Sequence, residues 1–125
     1  MTAEDEVKGA ELSFNAAENA GDTRTVYLLP GRTVFGPVGG RLFVGWTEES
    51  RLQRQAAFDA GRKRDLRIED LEVRVYGDAA VSTFYRVGTI READGTLREL
   101  HLRISGVWVR SEGEWKLAQR HESRF

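Results

Sequence analysis

Among the side chains of this 125-residue sequence, its two histidines, His101 and His121, have ordinary pKa values nearest neutrality. The closing stretch GEWKLAQRHESRF, read as an extended strand, sets Trp115, Leu117, Gln119, His121 and Ser123 on one face. An imidazole at the polar end of that face could move a proton as a general acid or base; its competing role is a hydrogen-bonded core residue. Ser123 does not form a nucleophile pair with His121, because neighbours on one strand face point parallel rather than converging. His101 falls on the opposite face by alternation, so the two histidines do not share a metal. With no cysteine and no spaced acid pair, neither a metal site nor a cofactor is expected. Asp59 is a second candidate base if its helix turns it inward, and a surface residue otherwise. Tyr27, Trp46 and Tyr85 could line a pocket, with the tyrosine hydroxyls orienting a carbonyl or hydroxyl, or could be aromatic core.

Other stretches carry less chemistry. GPVGG (36–40) lacks the lysine and following helix of a phosphate loop and reads as a flexible rim. GRKRD (61–65) reads as a solvated turn rather than a nucleic-acid patch. The 19 basic and 20 acidic residues nearly cancel, so no global field favours nucleic acid or an anionic membrane. The opening MTAEDEVKGAELSF is acidic and has no apolar run of signal-peptide length, and nothing approaches a membrane span. A cytoplasmic location and a single domain over residues 1–125 are the expectation.

The elements that must position these residues change once along the chain, from helical to extended. Val7, Ala10, Phe14 and Ala17 follow the spacing of one helix face, which predicts a helix from Ala3 to about Ala20 with Glu4, Asp5 and Glu6 in its first turn. Gly21 caps it, Asp22 opens a short second helix through Leu29, and Pro30 and Gly31 end that one. Residues 31–46 read as loop and short strands. Thr47 caps a third helix through about Ala60. From there the period is two, and the runs around 66–76, 79–90, 97–110 and 114–124, joined by short turns, predict an antiparallel meander. Helices placed before a sheet give an α+β fold, with helices covering one sheet face.

The last two strands decide the faces. If the turn centres on Glu112–Gly113, Trp108 faces Leu117, Gly106 faces Gln119 and Ile104 faces His121. A one-residue slip would bury Lys116 and Arg120 instead. Leu102, Ile104, Trp108, Leu117, Gln119 and His121 are therefore placed on the concave side. The other face carries Ser105, Val107, Val109 and Ala118, an apolar strip suited to a twofold partner.

FNAAENAGD (14–22), VYGDAAV (75–81) and GVWVRSEGEWKLAQRHES (106–123) together resemble the nuclear transport factor two-like superfamily in its SnoaL-like branch. The last segment is similar to the tail of the association domain of calcium/calmodulin-dependent kinase II. The resemblance spans essentially the whole chain. It implies a cone-shaped barrel: a bent antiparallel sheet around N-terminal helices, with a pocket in its mouth and homodimers paired through the outer sheet face. It also implies a family range that includes isomerases, dehydratases, cyclases and epoxide hydrolases, so the fold alone does not name a reaction.

Two departures matter. Kinase association domains have an arginine where this chain has Gly106, so their anion-binding pocket is not carried over. Isomerase-like members place an acid soon after the second helix, and here no acid occurs between Asp22 and Glu48. The expectation is a homodimeric small-molecule-binding domain with an apolar pocket, walled by Leu102, Ile104, Trp108 and Leu117, with His121, Gln119 and Tyr27 orienting a small apolar ligand. The alternatives are an isomerase or cyclase on a polyketide-like or steroid-like substrate, with His121 or Asp59 as base, and a structural dimerisation module.

Overall fold

A computed structural model of the chain describes all residues except 25, 38–40 and 46. The first helix, α1, runs Ala3–Asn19. Its start is fixed by a reciprocal cap: the Thr2 hydroxyl accepts from the Asp5 N–H at 3.1 Å, and the Asp5 carboxylate accepts from the Thr2 N–H at 3.3 Å. Gly21 ends it at φ 77°, and a side chain there would also run into the Phe58 ring, 2.8 Å from an added Cβ. The second helix, α2, is Glu48–Asp59, with the Thr47 hydroxyl accepting from the Ser50 N–H at 3.1 Å. None of its residues is buried.

Among the described residues of 22–29 the expected short helix does not form. Leu28–Phe35 is instead a strand, β1, followed by a two-residue strand β2, Phe43–Val44. Pro30 is tolerated inside β1 because the pairing breaks between Leu28 and Thr33, so its missing N–H costs the ladder nothing. The four long strands are β3 (Lys63–Tyr76), β4 (Ala79–Arg91), β5 (Leu97–Ser111) and β6 (Glu114–Arg124). They form the expected meander. The sheet order is β2-β1-β6-β5-β4-β3, antiparallel throughout except that β1 runs parallel to β6. This is an α+β fold with a six-stranded mixed sheet that stays open at β2 and β3 rather than closing into a barrel.

Helix α1 packs across β3, β4 and β6. Val7, Val73, Ala80, Trp108, Trp115 and Leu117 make the main core, with Phe84, Leu102 and Ile104 as a second cluster. At Gly88, opposite Leu66, β3 and β4 approach so closely that an added Cβ would lie 2.0 Å from the Asp65 carbonyl oxygen.

One irregularity reorders the faces. Trp108 pairs with Leu117 as expected, but Val107 pairs with Gln119, leaving Ala118 as an extra residue in β6. Beyond this bulge the pairing is Gly106 with Arg120 and Ser105 with His121. Arg120 is buried against the helix, while His121 is exposed on the outer face. Gln119 goes outward with its partner Val107, because directly opposed residues share a face.

Candidate functional site

The inner face of the sheet and the two helices border an open-mouthed cavity of about 640 Å³. Phe14, Leu28, Val34 and Leu117 give it an apolar wall, while Ser50, Gln53, Arg54 and Ala57 border it from α2. Charged residues, among them Glu18, Asp22, Arg32, Arg120 and Glu122, also line it, so the cavity is amphipathic and not the apolar one expected.

The charges are held by partners on different elements. Glu11, on the α1 stripe that carries Val7 and Phe14, is 1% exposed. Its carboxylate accepts from the Ser82 hydroxyl at 2.6 Å, from the Trp108 indole N–H at 2.8 Å, and from the Arg120 guanidinium. That guanidinium lies over the Phe14 and Phe84 rings, 5.2 and 5.4 Å from their centroids. Burial pulls the Arg120 pKa down, and Glu11 and Glu18 more than offset it, leaving it above the usual arginine value.

Two helical turns beyond Glu11, Glu18 meets Arg86 at 2.5 Å, Arg54 at 3.5 Å and Arg64 at 3.8 Å. Burial pushes its carboxyl upward, but Arg86, Arg64, Arg120 and Arg54 together hold it down at about 2. Burial dominates at Arg64 and lowers it to about 10 despite Glu18. Asn15 accepts from the Arg86 Nε–H at 2.8 Å, and Asn15 and Asn19 both donate to the Leu66 carbonyl, at 2.8 and 2.7 Å. Among the described residues, the buried Nε–H groups of Arg120 and Arg64 meet no hydrogen-bond acceptor.

The SnoaL-like domain family matches residues 12–125. The chain belongs to the SnoaL-like family. Solved structures with the same fold include the CaMKII hub of S. rosetta, at 24% identity and TM-score 0.74, covering 100% of this chain and 98% of that one. An NTF2-like protein from Cytophaga hutchinsonii aligns at 19% identity and TM-score 0.77, over 100% of both chains. A ketosteroid isomerase-like protein from Erwinia carotovora atroseptica aligns at 20% identity and TM-score 0.75, over 96% of this chain and 94% of that one. No curated protein matches the sequence.

In this SnoaL-like domain the residues singled out from sequence divide between the two sheet faces. Leu117 lines the inner cavity. Trp108 lies beneath it in the core and donates to Glu11, and Leu102 and Ile104 pack with Phe84 in the second cluster. Tyr27 is half-buried and stacks on Phe14 with centroids 5.4 Å apart. Trp46 lies outside the described residues.

The rest are displaced. The expectation that His121 and Gln119 face inward fails because of the Ala118 bulge. His121 borders a different hollow, about 490 Å³ on the outer face, together with Asp70, Glu72, Tyr85, Arg103 and Ser105. Its ring is 5.5 Å from that of Phe35. Tyr85 is on this outer face too, edge-on to Phe125 at 5.3 Å. Asp59 is exposed at the end of α2, accepting from the Gln55 amide at 3.1 Å, and does not point inward. His101 is exposed against Phe125. Among the described residues no group of three or more His, Cys, Asp or Glu is placed to hold a metal ion, and no helix is long and apolar enough to cross a membrane.

Sequence reasoning missed Glu11, Glu18, Arg86 and Arg120. The signal for the first three was present. Positions 7, 11, 14 and 18 share one helix stripe, and Ala80, Ser82, Phe84 and Arg86 share one strand face. Acids on the helix stripe and a base on the facing strand could have been matched as a buried pair.

Proposed function

We propose that this SnoaL-like domain binds a small molecule in its inner cavity and works as a homodimer paired through the outer sheet face. The observation that carries the first part is the cavity itself, whose volume lies within the range of small-ligand sites and whose wall combines apolar side chains with convergent polar groups. Its ionisable groups suit recognition better than proton transfer. Glu18 is held near 2 and Asp22 is held low by its hydrogen bonds from Arg24, so both are poor bases at neutral pH. His121 and Asp59, the bases of the isomerase reading, border other surfaces.

A melting screen of apolar ligands carrying one polar group tests the cavity. Ligands that stabilise the protein should lose that effect when Ala57→Trp fills the space beside α2. No stabilisation by any compound would return the reading to a structural module.

The homodimer rests on the outer face, where Val81 and Tyr85 are 38% and 40% exposed and Val107 and Val109 are half-buried. The S. rosetta neighbour described as a hub fits a self-associating use of this fold. Val107→Arg should convert the dimer to a monomer in light scattering, and a wild-type monomer would rule the dimer out.

A further inference from the structure

We infer that α2 is a hinged lid over the inner cavity, latched by the Thr23 hydroxyl and swinging about the glycines at its two ends. The inference builds on the reading of the cavity as a ligand site and concerns how that site is entered.

The two helices are held in different ways. Helix α1 buries Val7 and Glu11 in the interior and cannot leave without opening the core. Helix α2 buries no residue, and its Leu52 is exposed. A 12-residue helix is marginal in water by itself, so α2 depends on what it touches. Among the described residues those contacts are mostly polar. Thr23 is buried; its hydroxyl donates to the Gln55 amide oxygen at 3.0 Å and accepts from the Arg51 guanidinium at 3.3 Å. Positions 51 and 55 lie one turn apart on one helix face, so a single hydroxyl holds two turns of α2. Arg54 meets Glu18 at 3.5 Å, and the Phe58 ring lies over Gly21. Opening exchanges hydrogen bonds for water and wets little apolar surface, so it takes far less free energy than unfolding the sheet.

The ends of the helix suit a swing. Gly45 precedes it at φ 76° and Gly61 follows it at φ 119°, backbone that glycine adopts without strain. The body resumes directly beyond, where the Arg62 Nε–H donates to Glu92 at 2.9 Å. Between the two glycines, α2 presents Ser50, Gln53, Arg54 and Ala57 to the cavity. Its position therefore sets how wide the mouth stands.

Hydrogen exchange of the full chain, read amide by amide in NMR with no ligand added, tests the lid apart from the ligand-site reading. An undocked α2 loses its helix, so amides of residues 52–59 should exchange at least about 100-fold faster than those of α1, at rates that low urea barely changes. Equal rates and equal urea dependence in the two helices would overturn the lid, because α2 would then open only with the whole fold. Thr23→Val should speed exchange in α2 about ten-fold and leave α1 unchanged, and Thr23→Ser should restore the wild-type rate. Gln55→Ala releases the latch from the α2 side; alanine favours helix, so faster exchange there reports undocking rather than fraying. No acceleration in either variant would overturn the latch.

Entry is read with a thiol. The chain has no cysteine, so Val34→Cys puts one reporter on the cavity wall. Its labelling by dithiodipyridine should become about ten-fold faster when Thr23→Val is added. A labelling rate indifferent to the latch, with α2 exchange accelerated, would show that the helix moves without governing entry and would overturn the gating. If the latch controls both exchange and labelling while no compound stabilises the protein, the lid stands and the ligand-site reading falls.

Discussion

Glu11 and Arg120, 109 positions apart in sequence, form an ion pair whose side chains are 1% and 6% exposed. Neither group can turn to water when the other is removed. Arg120→Met should therefore cost about 3–5 kcal/mol in urea unfolding, because it leaves a buried carboxylate with neutral donors alone. The double variant Glu11→Leu with Arg120→Met should be more stable than either single one, since it removes both charges and keeps the volume apolar. Additive losses in that cycle would show that the pair does not act as a unit.

Glu18 makes stability depend on acid. Its carboxyl is depressed from a usual 4.5 to about 2, chiefly by Arg86 and Arg64 acting against burial. A depressed acid stabilises the fold above its unfolded pKa and stops doing so as pH falls through the folded one. Stability should thus fall between about pH 4.5 and pH 2, by on the order of 3 kcal/mol from this group. Glu18→Gln should be less stable at neutral pH and show a flatter profile in that window. An unchanged acid limb in calorimetry would count against the assignment.

Gly88 has no room for a side chain. At φ 150°, with the Asp65 carbonyl 2.0 Å from where a Cβ would sit, Gly88→Ala must push β3 and β4 apart. The expected loss is about 3 kcal/mol or more, read as a lowered denaturant midpoint. A midpoint within error of wild type would mean that the strands separate freely there.

His121 faces outward, so His121→Ala should leave the stabilisation given by ligands of the inner cavity unchanged in the melting screen. Its effect belongs on self-association, because Phe35, Tyr85 and Arg103 share its surface. Loss of ligand stabilisation in this variant, with an unchanged oligomer, would move the site to the outer hollow.

The legible parts of the sequence were those governed by local periodicity. Helix α1 came out within a residue of its expected end, α2 began at the expected Thr47 cap, and the four-strand meander followed from alternation and turn residues. Two features were hidden for physical reasons. The run around Pro30 and Gly31 reads as a helix stop, yet a parallel partner that skips those residues lets it be a strand. Alternation along β6 assumes an unbroken pleat, and the extra residue at Ala118 inverts every facing beyond it. The cluster of Glu11, Glu18 and the arginines was missed because a charged residue was taken to face solvent, an assumption that fails when its partner lies on another element.

The Ala118 bulge also says what holds the end of β6 in place. A straight β6 would turn Arg120 out and His121 in, and local pairing along the hairpin differs little between those two arrangements. Glu11 breaks the tie, since only the kinked strand delivers a guanidinium to it. One carboxylate on the first helix thereby acts as the alignment pin for the last strand, and blunting it would let a single chain populate two interiors, one lined by arginine and one by imidazole.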